Sequence, residues 1–214
     1  MKTVSKSNEI LYTIEGSRFL AQLHAVSSKE EADDIIRSIR KAHMKSTHVV
    51  SALRLDGEGY YDDDGEPAQT AGAPLLSLLE GEDIVFTLIT CVRYFGGTKL
   101  GKGGLIRAYS ESGREAIREA SFQPLFQVRS FTLTFSYPDQ NAVDHLLNMR
   151  NAFRGAIEYT QEIKAKVYLK ETEGFHSQYL DATQGRGLIE PGEQVYIYQI
   201  GEQTFERGDY ERKD

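Results

Sequence analysis

One cysteine, Cys91, cannot form an internal disulfide. No charged n-region with an apolar h-region opens the sequence either, so a reducing, cytoplasmic compartment is expected. Long hydrophobic runs are also missing. The longest apolar stretch, residues 84–92, is far short of the roughly 20 residues that a membrane-spanning helix needs, so it reads as a core strand and no membrane partner is expected. Positive charge is scarce: 25 Lys and Arg stand against 32 Asp and Glu, a net charge of -7, which argues against a general nucleic-acid binder with a basic face. Metal-ligand spacing is absent too. His24, His43, His48, His145 and His176 show no H-x-x-x-H pattern and Cys91 has no C-x-x-C companion, so neither a metal nor a cofactor is expected.

What is present is a sharp division of charge. Residues 56–83 carry nine acidic side chains and no Lys or Arg, whereas residues 93–118 carry six Lys or Arg against two Glu, a net of +4. Such neighbouring segments either neutralise each other or face a common ligand. The basic segment opens with Gly96, Gly97, Gly101, Gly103 and Gly104 between a strand-like and a helix-like run, which suggests an exposed loop shaped for an anion. Gly96 to Gly103 fits the phosphate-cradling G-x-x-x-x-G-K-[ST] pattern up to its last position, where Gly103 replaces the magnesium-binding hydroxyl. Anion binding by backbone N–H groups survives that loss; nucleotide hydrolysis does not follow.

A chain of 214 residues with 40% hydrophobic content can bury a sizeable core, and two domains are expected, 1–125 and 126–214. In the first, strands over 9–14 and 17–25 flank a Glu15-Gly16 turn. A helix follows from the capping box at Ser28 to Glu31 and ends near His43. A strand over 47–55 leads to a long acidic loop over 56–69, then a short helix over 71–80, the buried strand and a helix over 103–120. In the second, the order strand 127–137, helix 138–150, strands 154–160 and 162–170, helix 173–184 and strand 187–200 is βαββαβ, the ferredoxin-like arrangement. The tail after Gly201 reads as frayed. The fold class is therefore α+β.

The motifs Asp63-Asp64-Gly65-Glu66-Pro67, Thr70-Ala71-Gly72 with Pro74, Arg93-Tyr94-Phe95-Gly96-Gly97, Leu100-Gly101 and Gly103-Gly104-Leu105-Ile106-Arg107-Ala108-Tyr109 resemble the signature of the YigZ/IMPACT family. Ser17-Arg18-Phe19 and Thr47-His48 fit the same pattern, so the resemblance covers essentially the whole first domain. The chain departs from the pattern at Ala68-Gln69 and Val49-Val50. The resemblance implies, for the first domain, a mixed sheet with packed helices like a ribosomal protein and the fourth domain of elongation factor G. It implies for the second domain a fold like that factor's fifth. It also implies a link to translation, since eukaryotic relatives inhibit a starvation-responsive initiation-factor kinase by competing for its activator.

These signals converge on a non-enzymatic translation-associated regulator that binds RNA, the ribosome or a ribosome-associated protein through its basic glycine loop. The anion- or partner-binding candidates are Arg93, Gly96, Gly97, Lys99, Lys102, Gly103, Gly104, Arg107 and Tyr109. Those facing them from the acidic side are His48, Asp63, Asp64, Glu66 and Thr70. An enzyme acting on a phosphorylated small molecule or nucleotide is the alternative class and requires a deep pocket; a pure protein-interaction module would instead show a shallow surface. The sequence leaves the oligomeric state open. Arg107, Glu111, Arg114 and Arg118 line one face of the helix, where Glu111 is placed to pair with Arg107.

Overall fold

In the computed structural model, which describes residues 1–200 and 203–207, the polar opening of the chain is already a strand. β1 (Lys2–Lys6) buries Val4 and reaches Ile84 through a parallel bridge. β2 (Ile10–Ile14) and β3 (Ser17–Ala25) form the expected hairpin. Its turn residues Glu15 and Gly16 take φ of 45° and 77°, the doubly left-handed geometry whose twist matches that of paired strands. α1 (Lys29–Ala42) starts as the capping box predicts: the Ser28 hydroxyl accepts from the Glu31 N–H, and the Glu31 carboxylate accepts from the Ser27 N–H at 2.6 Å. β4 (His48–Arg54) then pairs with β5 (Gly59–Asp62), a strand within the segment read as a loop. All four β5 residues are exposed, so no apolar alternation marked it.

α2 (Gly72–Gly81), β6 (Thr87–Tyr94) and α3 (Gly101–Glu119) complete the frame that carries the site. β6 starts later than its apolar run because Asp83 and Phe86, at φ of 51° and 52°, break the extended backbone. The sheet order is β2-β3-β6-β4-β5 and every pairing is antiparallel, which corrects the expectation of a mixed sheet. The reason is topological. β3 and β4, joined by α1, run parallel to each other, but β6 lies between them and is antiparallel to both.

Helices cover both faces of this sheet. Ala32, Ile35 and Ile36 of α1 pack on Leu53 and Leu88, while Leu75, Leu79, Leu105, Ala108 and Ala116 of α2 and α3 pack on Phe19, Ala21 and Ile89. A Cβ on Gly113 would lie 2.8 Å from methyl carbons of Leu75 and Leu78, so glycine there lets α2 and α3 close on each other. β7 (Ser121–Pro124), just before the expected domain boundary, pairs with β1. The chain divides into two compact units, Met1–Gln123 and Pro124–Asp214.

The second unit contains β8 (Phe126–Phe135), α4 (Gln140–Met149), β9 (Phe153–Tyr159), β10 (Ile163–Leu169), α5 (Phe175–Ala182), β11 (Leu188–Ile200) and β12 (Gln203–Glu206). Its antiparallel sheet has the order β12-β11-β8-β10-β9. Leu133, Phe135 and Val167 face Val143, Leu147, Phe175 and Tyr179 of the two helices. Val128, Tyr168 and Ile197 form a smaller cluster. β12 lies in the tail read as frayed and is held by pairing to β11 and by Lys166 Nζ, 2.7 Å from Glu206. Residues 208–214 of that tail lie outside the described residues.

Candidate functional site

The acidic turn of the first unit is shaped by its own carboxylates. Asp63 Oδ1 accepts from the Ala71 and Gly72 N–H groups at 3.0 and 2.8 Å, and Oδ2 accepts from Gln69 N–H at 2.7 Å. This sets a negative charge at the N-terminus of α2, which has no cap from its own adjoining side chain. Asp64 Oδ2 accepts from Val49 N–H at 2.5 Å, its Oδ1 lies 2.8 Å from Arg40, and its carbonyl is 2.7 Å from His48 Nδ1. The buried Thr70 hydroxyl donates to the Pro67 carbonyl at 2.6 Å. Asp63, Asp64 and Thr70 thus hold the turn.

Glu66 is the acid that turns inward. Its Oε1 accepts from Arg93 Nη1 at 2.5 Å and from the Tyr109 hydroxyl at 2.8 Å, and His48 Nε2 lies 3.8 Å away. Both members of the Glu66–Arg93 pair are buried. In low dielectric such a pair stands only because each charge has the other, and the phenol adds a second donor. Burial pushes the Tyr109 phenol well above its ordinary range, so it stays protonated and donates. The acidic turn and the start of the glycine loop are therefore joined through one carboxylate.

The glycine loop is pinned at its outer end as well. Thr47 Oγ1 accepts from Phe95 N–H and Ser17 Oγ from Gly96 N–H, both at 3.1 Å. A Cβ on Gly96 would overlap the Gly16 backbone of the β2–β3 turn, so this glycine serves a close approach of two chain segments. Gly97 takes φ of 93°, and a Cβ on Gly97 or Gly103 would meet nothing within 4 Å. Gly104, in the first turn of α3, packs against Leu100, the residue that precedes the helix. The α3 face differs from the sequence reading: Glu111 pairs with Arg114 and Glu115 with Arg118, three residues apart, and no ion pair engages Arg107 among the described residues.

Between the turn and the loop lies an open cleft of about 310 Å³, lined by Thr47, His48, Glu66, Pro67, Arg93, Phe95, Lys99, Leu100, Gly101, Lys102 and Leu105. Of the residues expected in a site, His48, Glu66, Arg93, Lys99 and Lys102 come together here. Arg107 is exposed but does not line the cleft, and Tyr109 is fully buried beneath it. Thr47, Pro67, Phe95, Leu100, Gly101 and Leu105 are not among the expected site residues, although all six stand within the family motifs. Lys99 and Lys102 are exposed and have no ion-pair partner among the described residues. Among the described residues, no group of three or more His, Cys, Asp or Glu could hold a metal, and no helix is long and apolar enough to cross a membrane.

Fold and site define a two-unit α+β protein with a cationic cleft above a neutralised carboxylate. A model of the Impact N-terminal domain matches residues 15–117, which include the whole of this cleft. The chain is 33% identical over 200 residues to the IMPACT family member YvyE of Bacillus subtilis, covering 91% of this chain and 92% of that protein. It is 32% identical over 143 residues to the IMPACT family member YigZ of Escherichia coli, covering 64% and 70% of the two chains. A solved crystal structure described as that of a hypothetical protein has a TM-score of 0.60 at 26% identity, covering 90% of this chain and 97% of the other. The chain belongs to the IMPACT family.

Proposed function

We propose that this protein is a cytoplasmic, non-enzymatic regulator associated with translation, which binds RNA or a ribosome-associated protein through the cleft beside its glycine loop. The observation that carries the reading is the pair of exposed lysines, Lys99 and Lys102, without an ion-pair partner among the described residues, on the rim of a preformed cleft in a protein of net charge -7. Isolated cations of this kind attract an anionic partner locally while the acidic remainder disfavours indiscriminate binding. Glu66 is committed to Arg93 and Tyr109, which supports binding over general-base chemistry. The absent hydroxyl at Gly103 further supports a site that does not turn over nucleotide. Family membership supports the link to translation that the motif resemblance implies.

The same reading extends to the scaffold. The β3–α1–β4 crossover with β6 between its strands supports the analogy to the ribosomal-protein and elongation-factor fold. The order β11-β8-β10-β9, with α4 and α5 on one face, supports a ferredoxin-like second domain carrying β12 as an addition. Co-sedimentation with ribosomal fractions tests the function. The wild type is expected to pellet with them and a Lys99→Glu, Lys102→Glu variant to remain in the supernatant. Equal pelleting of the two, or robust magnesium-dependent ATP or GTP hydrolysis by the wild type, would overturn the reading.

A further inference from the structure

We infer that the cleft seats one nucleotide of single-stranded RNA, with its base stacked on Phe95 and its phosphate held by Lys99, Lys102 and the remaining donors of Arg93. This rests on the reading of the glycine loop as the contact surface and narrows it to one ligand chemistry.

Three observations fix the class. Phe95 is 47% exposed at the cleft wall, and the only cation or ring placed near it among the described residues is the Arg93 guanidinium, 5.7 Å from its centroid. An exposed ring beside a guanidinium offers the π-face that any unpaired base can use, and such stacking tolerates sequence. Arg93 is only 5% exposed and lines the cleft; Glu66 engages Nη1, Nε is buried, and Nη2 makes no hydrogen bond among the described residues. A planar guanidinium with donors to spare matches a phosphate better than a point charge does. Thirdly, Lys99 and Lys102 stand beside it without an ion-pair partner among the described residues, while the one carboxylate among the described lining residues, Glu66, is already paired with Arg93.

The cleft is open, and its volume of about 310 Å³, at the lower end for small-ligand sites, matches one nucleotide. The base must already be unstacked to enter, which selects single strands, loops and bulges.

Fluorescence anisotropy with a labelled RNA of about ten nucleotides, unpaired and then annealed to its complement, tests this directly. The single strand should bind at least about tenfold more tightly than the duplex. Phe95→Ala should weaken the single strand roughly 5- to 150-fold without changing the melting temperature, and Phe95→Tyr should restore binding. Lys99→Glu, Lys102→Glu should flatten the slope of log affinity against log salt by about 0.7 or more, the value for the one phosphate they hold. Equal affinity for duplex and single strand, or unchanged binding by Phe95→Ala, overturns the inference. If the lysine variant loses ribosomal fractions while the wild type binds no free RNA, the occupant is a protein: this inference falls and the function proposed above stands.

Discussion

Removing the Glu66 carboxylate should destabilise the first unit more than any exposed substitution. Glu66→Ala leaves Arg93 charged and buried, and it deprives the buried Tyr109 hydroxyl of its acceptor. Breaking a buried pair by deleting one partner costs about 3–5 kcal/mol, against a total stability of about 5–15 kcal/mol for a typical domain. For a unit of this size that lowers the melting temperature by roughly 10–20 °C, measurable by scanning calorimetry. Adding Arg93→Met should recover part of the loss, because the orphaned charge goes with it, and the double-mutant cycle should give a coupling of about 2 kcal/mol or more. A loss below about 1 kcal/mol for Glu66→Ala would place the pair in the class of solvent-screened surface contacts and refute the reasoning.

The Asp63→Ala change removes the acceptor of three backbone N–H groups and should cost about 1–3 kcal/mol in urea unfolding. His24 is lowered by burial from 6.5 to about 4, so the folded state resists protonation while the unfolded state accepts it. Its contribution is intact above pH 6.5 and lost as pH falls toward 4, by about 3 kcal/mol at the lower end; His24→Gln should flatten thermal stability across that window relative to wild type. Burial pushes the Cys91 thiol up to about 12, so the native protein should resist alkylation at pH 8 and react once unfolded, as followed by mass spectrometry. The fragment 127–214, expressed alone, should melt in one cooperative calorimetric transition, since that unit has its own core between sheet and helices.

Where local chemistry fixes an element, the sequence revealed it. The Ser28 and Glu31 caps, the Glu15-Gly16 turn and the glycine-rich strand-to-helix junction are each written in adjacent residues. β1, β5 and β12 escaped because they are short and polar or exposed, and their strand character comes from pairing partners distant in the chain or from a hairpin without an apolar side. The site divided in the same way. Local motifs drew attention to Glu66, Arg93 and Tyr109, but their shared contact links residues 27 and 43 positions apart, which no periodicity encodes. Charge counting placed Arg93, and the loop motif Tyr109, among partner-facing residues, whereas packing buries both and leaves Lys99, Lys102 and Phe95 at the surface. Arg107 illustrates the limit of helical spacing, because its expected partner Glu111 is taken by Arg114.

The claim that the lysine-rimmed cleft is the protein's anionic contact is tested most directly by the salt dependence of binding to ribosomal fractions. For wild type, the affinity should fall linearly on a log–log plot with a slope steeper than about -0.7, reflecting at least the one phosphate neutralised at Lys99 and Lys102. In the Lys99→Glu, Lys102→Glu variant that component should vanish together with most of the affinity. Binding of wild type that ignores salt and survives the double substitution unchanged would contradict the account.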